Sequence, residues 1–327
     1  MKIYLVGGAL RDQLLNRPIG DKDYLVVGGS PEEMLKLGYK QVGKQFPVFL
    51  HPETSEEYAL ARKEIKVGPG YQGFKFVFDK SITLEEDLLR RDFTVNAMAQ
   101  RDGELTDLFN GKVDLQNKIL RHISGHFVED PLRVIRGMRF AAQLDFTFHG
   151  ETKKLLQEMI SKKVLNELSN DRIFKEVEKV LSSQNTYLFY KHLEEFEICD
   201  AILPGALKIK NERSDLDKYE QLARLYTSQE SLQKLTDQYV LPNRYKKLIQ
   251  YNVAYHEIIN EPESVLDFFK RIRFDKENLL SIEKINQCSR GYSGLLKQIN
   301  KVYLPKAVEL SVRNATYLKL ISSNLRF

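Results

Sequence analysis

The sequence predicts an α+β protein: a mixed α/β unit with a small sheet at the N-terminus, followed by an all-helical remainder. Three observations carry that expectation. Short apolar, β-branched runs closed by glycines crowd the first part of the chain, the pattern of strands entering turns. From Asp130 onward no segment alternates convincingly, and apolar residues recur at helical spacing instead. At 327 residues the chain is also long for one core and suits two or three compact units.

Taken in order, Ile3 to Val6 is a short strand ending at Gly7-Gly8. Ala9 to Asn16 is a helix with Leu10, Leu14 and Leu15 on one side. Tyr24 to Val27 is the next strand, closed by Gly28-Gly29. Ser30, Pro31 and Glu33 make a helix start: an N-cap, a proline at the first position and a capping-box glutamate. Phe46 to His51 and Glu57 to Arg62 read as two further strands, joined by Pro52-Glu53-Thr54-Ser55. Lys66 to Lys80 carries Gly68-Pro69-Gly70 and Gly73 among lysines and aromatics, and reads as a mobile excursion between strands rather than a core element. Pro131 to Gln143, Glu151 to Ser161 and Asp171 to Ser182 are helices, and Pro204-Gly205 with the polar Asn211-Glu212-Arg213-Ser214 marks a boundary in the second half. The chain thus divides into residues 1–122, 123–205 and 206–327.

Composition bounds the function classes. Hydrophobic content of 42% and charged content of 29% describe an ordinary globular protein. No apolar run reaches the ~18 residues a membrane span needs, and the start is too soon interrupted by glycine for a signal peptide. Cys199 and Cys288 give neither a disulfide framework nor zinc spacing. The expectation is a cytoplasmic, soluble protein with no membrane partner and no obligatory protein partner. A net charge of +5 is compatible with a polyanionic partner without demanding one.

Four blocks carry chemistry. Gly7-Gly8-Ala9-Leu10-Arg11-Asp12 lies where a strand becomes a helix; glycines let the backbone approach a phosphate, the helix N-terminus presents free N–H groups, and Arg11 adds a bidentate donor. The G-x-G-x-x-G pattern is absent, which argues against a dinucleotide-dependent enzyme, and the spacing is wrong for a P-loop. Asp21 and Asp23 stand two apart at the mouth of a strand, so they leave one face and can hold hard divalent cations, as Mg²⁺ sites do. A third carboxylate is usual in such sites; Glu57 is the candidate, with Asp92 behind it. A triphosphate anchor beside a metal pair suits activation of an attacking hydroxyl and departure of pyrophosphate.

In Arg90-Arg91-Asp92-Phe93-Thr94-Val95-Asn96-Ala97, Arg91 offers a fork to phosphate or sugar. Asp92 and Asn96 share a face if the segment is helical, where they can bind ribose hydroxyls. In Glu129-Asp130-Pro131-Leu132-Arg133, Asp130 is the natural N-cap, and Arg133, Arg136 and Arg139 recur every three residues beside the apolar Leu132, Ile135, Met138 and Ala142. A carboxylate next to a guanidinium complements the amine and ring nitrogen of cytosine or adenine and opposes guanine or uracil. A wrong base would leave buried polar groups unpaired at ~1–3 kcal/mol each.

These blocks, with Pro47-Val48-Phe49-Leu50-His51-Pro52, Glu57-Tyr58-Ala59-Leu60-Ala61-Arg62 and Asp114-Leu115-Gln116-Asn117, resemble those of the class II CCA-adding tRNA nucleotidyltransferases, a pattern shared by the bacterial poly(A) polymerases. The match is dense over residues 1–145 and thin beyond. The resemblance implies a polymerase-β-like nucleotidyltransferase head over 1–122, a helical neck with a base-recognition helix over 123–205, and a helical body and tail over 206–327 that hold the 3′ end and acceptor arm of tRNA. It assigns Asp21 and Asp23 to Mg²⁺, Gly7, Gly8 and Arg11 to the triphosphate, and Arg91 with Asp92 to the phosphate and ribose. Asp130 and Arg133 fall to the base, and Arg136 and Arg139 match further nucleotide-contacting arginines.

The implied activity is addition of C, C and A to tRNA from CTP and ATP. The excursion at 66–80 stands where CCA- and A-adding enzymes have a flexible loop that CC-only enzymes lack. None of the six histidines is followed by aspartate, so the phosphohydrolase domain of longer bacterial relatives is not expected. An A-only adding enzyme or poly(A) polymerase remains an alternative, as does a non-catalytic RNA-binding protein.

Overall fold

The computed structural model describes residues 1–43, 48–66, 68, 74–183, 185–258, 262–287, 292 and 310–324. The chain forms two compact units, Met1–Arg172 and Ile173–Phe327. In the first, β1 (Lys2–Val6) runs directly into α1 (Gly7–Leu14), followed by β2 (Asp23–Val27), α2 (Pro31–Lys36), β3 (Lys40–Val42), β4 (Val48–Leu50) and β5 (Glu57–Leu60). Then come β6 (Arg62–Lys66), β7 (Phe74–Phe78), α3 (Leu84–Leu89), β8 (Met98–Arg101), β9 (Glu104–Asp107), α4 (Gly111–Gln116) and β10 (Ile119–Leu120). The unit closes with α5 (Leu132–Leu144), β11 (Thr147–Phe148), α6 (Gly150–Ser161) and the start of α7 (Asn170–Leu181). The architecture is the expected α+β one, a head with a mixed sheet followed by a helical remainder.

The main sheet has the order β3-β4-β5-β2-β1-β8-β9, with β2 and β5 parallel and the other neighbours antiparallel. Both faces are covered. Leu25 packs on one side with Val6, Ala61, Leu88 and Ala99, while its neighbour Val26 packs on the other with Met34, Phe49, Tyr58 and Leu60. A strand buried on both faces needs apolar residues at every position, so Tyr24-Leu25-Val26-Val27 is a continuous run rather than an alternating one. Ser30 accepts from Glu33 N–H and Glu33 reaches back to Ser30 N–H, the capping box expected for α2.

The structure corrects the sequence reading in three places. Phe74–Phe78, read as part of an excursion, is a strand pairing antiparallel with Arg62–Lys66 in a two-stranded ribbon; residues 67 and 69–73 lie outside the described residues, as do Phe46, Pro47 and Cys288. The β8–β9 hairpin turns at Asp102-Gly103, both at positive φ (50° and 85°), the geometry that makes Asp-Gly the strongest short hairpin signal. Beyond Asp130 a strand pair does form: Thr147 and Phe148 add in parallel to Ile119 and Leu120. Two residues are too few to register as alternation.

The second unit is helical among the described residues, with helices Thr186–Glu195, Cys199–Ile202, Lys218–Ala223, Gln229–Gln238, Asn243–His256, Pro262–Arg271, Lys276–Ile285 and Leu310–Asn324. No helix of the described residues is long and apolar enough to cross a membrane.

Candidate active site

Register alone brings three sequence blocks to one end of the sheet. β1 ends at Val6, which pairs with Asp23, the first residue of antiparallel β2; Asp23 in turn pairs with Glu57, the first residue of parallel β5. Gly7, Asp23 and Glu57 therefore stand side by side where three strands meet α1. Gly7 has φ +71°, and a Cβ on it would lie 3.7 Å from both Asp23 Oδ2 and Arg91 Nη1. A side chain there would be strained by the backbone and would fill the space between carboxylate and guanidinium. The N-terminus of α1 has no side-chain cap, so its first N–H groups stay open to an anion.

The carboxylates crowd one another. Burial, Glu57 and Asp21 all push the Asp23 carboxyl above its usual range, with Arg91 opposing. Asp21 lies in a bend ahead of β2 rather than on the strand. Asp21, Asp23 and Glu57 are exposed as residues, although the Asp23 carboxyl is itself partly withdrawn from water. Among the described residues no group of three or more His, Cys, Asp or Glu side chains is placed to hold a metal ion by itself. Mutually repelling carboxylates fit a hard cation whose remaining ligands come from elsewhere, as Mg²⁺ commonly takes them from phosphates and water.

Asp92 stands apart from that group. The segment Arg91–Asn96 is a bend followed by a short 3₁₀ turn (Thr94–Asn96), not the helix that would put Asp92 and Asn96 on an open face. The two residues meet all the same, but on each other: Asn96 Nδ2 donates to Asp92 Oδ1 at 3.0 Å. Arg136 Nε and Nη2 donate to Asp92 Oδ2 at 2.9 and 2.6 Å, and Arg11 Nη1 donates to Asn96 Oδ1 at 2.8 Å. A chain Arg11–Asn96–Asp92–Arg136 thus ties α1 to α5 through the 92–96 turn. Burial would raise the Asp92 carboxyl, but Arg136 and the Asn96 amide hold it well below the usual carboxylate range.

Arg11 also grips Asp12 with Nε and Nη2, at 2.9 and 3.0 Å. A Cβ on Gly8 would lie 3.6 Å from its Nη2.

On α5 the arginine face is not a solvated one. Arg133 and Arg139 are buried, and Arg11, Arg136 and Arg139 all lie against the ring of Phe140, at 5.3, 5.2 and 3.8 Å. Arg133 Nη1 donates to His126 O at 2.7 Å and Nη2 to Arg90 O. Asp130 stands one residue before the N-cap of α5, which is Pro131 rather than the expected Asp130; its carboxylate accepts from Leu132 N–H at 3.1 Å and from Arg172 Nη2 at 3.2 and 3.0 Å.

Two residues escaped the sequence reading. Arg172, on α7, is the partner of Asp130, and a separation of 42 positions carries no local signal. Asp87, on α3, is fully buried and receives both Arg90 and Arg91. Here a signal did exist, since Asp87 precedes the two arginines by three and four positions, the reach of side chains on one helical turn.

Residues 3–121 match the family described as "Poly A polymerase head domain", and residues 145–209 match "Probable RNA and SrmB- binding site of polymerase A". The chain is 54% identical over 208 residues to a "Multifunctional CCA protein" of Shewanella frigidimarina, covering 62% of this chain and 50% of that protein. It is 50% identical over 216 residues to a "CCA-adding enzyme" of Actinobacillus succinogenes, covering 65% of this chain and 54% of the relative. The chain spans about half the length of these curated relatives. Its fold is that of the Bacillus stearothermophilus CCA-adding enzyme solved in complex with CTP: TM-score 0.67 at 23% identity, covering 98% of this chain and 78% of that one. Over residues 3–121 the chain is thus similar to the poly A polymerase head domain, and over about two thirds of its length to curated CCA-adding relatives.

Proposed function

We propose that this protein adds C, C and A in turn to the 3′ end of tRNA, using CTP and ATP without a nucleic-acid template. The observation that carries the reading is the meeting of Gly7, Asp23, Glu57 and Arg91 at one sheet edge, beside the uncapped start of α1. That edge combines donors for a triphosphate with a cluster of acceptors for a cation.

In this reading the N–H groups of α1 and the Arg91 guanidinium hold the triphosphate and orient its α-phosphate toward the tRNA 3′-hydroxyl. Asp21 and Asp23, with Glu57 beside them, would hold a Mg²⁺ ion, which when bound would supply charge neutralisation and a lowered pKa for the attacking hydroxyl. Glu57 is the better third carboxylate than Asp92, whose oxygens are engaged by Asn96, Arg136 and its own chain. Arg11, Asn96, Asp92 and Arg136 serve as the frame that fixes α5 against α1, with Arg139 beside them on Phe140.

Asp130 and Arg133 select the base. Arg133 is pinned by two backbone carbonyls, so its plane is set before the nucleotide arrives. A carboxylate offers about four acceptor sites, so Asp130 can still take an exocyclic amine while it holds Leu132 N–H and Arg172. The helical remainder binds tRNA through phosphate contacts, in keeping with the RNA-binding match over 145–209.

Asp21→Ala tests the reading. CMP incorporation and pyrophosphate release should fall at least ~10³-fold, the scale of losing a principal electrostatic group, while tRNA binding in a gel-shift assay persists. Turnover retained in the variant would refute the metal role.

A further inference from the structure

Asp87 touches neither the sheet edge nor the base-reading pair, yet both depend on groups it holds. Its carboxylate is 0% exposed. Oδ1 accepts from Arg90 Nε and Nη2 at 3.1 and 2.6 Å, and Oδ2 from Arg91 Nε and Nη2 at 3.4 and 3.2 Å. The Arg62 backbone N–H adds a contact to Oδ1 at 3.3 Å. Two guanidinium forks thus close on one buried carboxylate, each through the same pair of nitrogens.

The consequence lies in what this leaves of Arg91. With Nε and Nη2 turned inward to Asp87, Nη1 is directed toward Gly7, 3.7 Å from where a Cβ would be, and it donates to Asn96 O at 3.3 Å. The side chain is 18% exposed. An arginine with one edge anchored and the other presented has lost most of its rotamer freedom in advance, which lowers the entropy cost of gripping a ligand. The same anchorage reaches the base side, because the Arg90 carbonyl receives Arg133 Nη2.

We propose that Asp87 is a positioning residue for nucleoside triphosphate binding, orienting Arg91 toward the Gly7–Asp23 edge by fixing its Nε–Nη2 edge from behind. The proposal rests on the assignment of that edge to the triphosphate. A carboxylate serving the fold alone would affect the amount of active protein and leave substrate affinities where they were.

The test is a double-mutant cycle on the full chain, with Asp87→Asn, Arg91→Lys and both together. Equilibrium CTP binding, KM and kcat for CTP and for tRNA lacking its CCA end, and the thermal midpoint are measured. Asp87→Asn should weaken CTP binding and raise its KM by roughly tenfold, the scale of a lost charged hydrogen bond. The tRNA KM should not move. In the Arg91→Lys background the same substitution should add less than about twofold, since Asp87 acts through Arg91.

Unchanged CTP affinity, a loss confined to kcat, or an equal loss in both backgrounds overturns the proposal. If Asp87→Asn does not fold, Asp87→Glu keeps the charge and displaces it by one methylene; CTP affinity equal to wild type in that variant also overturns it. A wild-type chain that binds CTP and transfers no CMP refutes the transfer reading while the cycle remains readable in binding. Failure of the wild type to bind either CTP or ATP overturns both.

Discussion

At the residue scale, the acids divide by what surrounds them. Asp21, Asp23 and Glu57 are exposed residues at the sheet edge, whereas Asp92 is buried among donors. Sequence identified all four as acids of interest, and it had to leave Glu57 and Asp92 as rivals, because the partner that claims Asp92 is Arg136, 44 positions away. That burial has a pH signature. Arg136 and Asn96 hold the Asp92 carboxyl below its unfolded value of about 3.9. Its stabilisation is therefore complete above that value and is lost as pH falls toward the folded one. The stability difference between wild type and Asp92→Asn should be flat from pH 5 to 8 (urea unfolding, two-state fit) and shrink below about pH 4. A difference that grew on acidification would contradict the ion pair.

Asp130 makes a different prediction at the same scale. Its carboxylate accepts from Leu132 N–H at the start of α5 and faces Arg172, and in the proposed reading it also reads the base amine. Asp130→Ala should cut the preference for CTP over UTP about tenfold or more, as when a site's hydrogen-bonding group is removed. Single-turnover incorporation with each nucleotide would measure the ratio. Lower activity with unchanged preference would assign Asp130 to the start of α5 alone.

At the element scale, the site is rigid because short elements approach without side chains between them. Gly111 opens α4 against the 94–96 turn, and a Cβ there would lie 2.3 Å from Thr94 O. No side-chain rotation relieves a clash with backbone, so Gly111→Ala must push the turn that carries Asn96. It should cost about 1–3 kcal/mol by denaturant midpoint and reduce nucleotide affinity as well; a loss under ~0.5 kcal/mol would mean the turn yields freely.

Strong local chemistry made the early elements legible: the glycine stop after β1, the capping box of α2 and the Asp130-Pro131 start of α5. Three strand pairings are not legible in the same way. The Asp102-Gly103 turn was a clear signal that went unused, whereas β11 is two residues whose only strand evidence is a partner in β10. Phe74–Phe78 was obscured by the glycines before it, which suggested a loop through to Lys80.

At the scale of the whole molecule, the first unit carries every residue of the proposed site, and the second is helical among the described residues. The helical remainder was legible as a class, because burial there follows the helical repeat: Tyr245, Leu248, Ile249, Asn252 and Val253 all turn inward from one helix. Its individual helices were not, since similar stripes follow one another without glycine-bounded runs to separate them.

The most direct measurement is extension of a tRNA lacking its CCA end, resolved to single nucleotides, with CTP alone, ATP alone and both. The account predicts two residues added with CTP alone, three with both, and synthesis that then stops. No cytidine incorporation, with adenosine added directly or repeatedly, would contradict it.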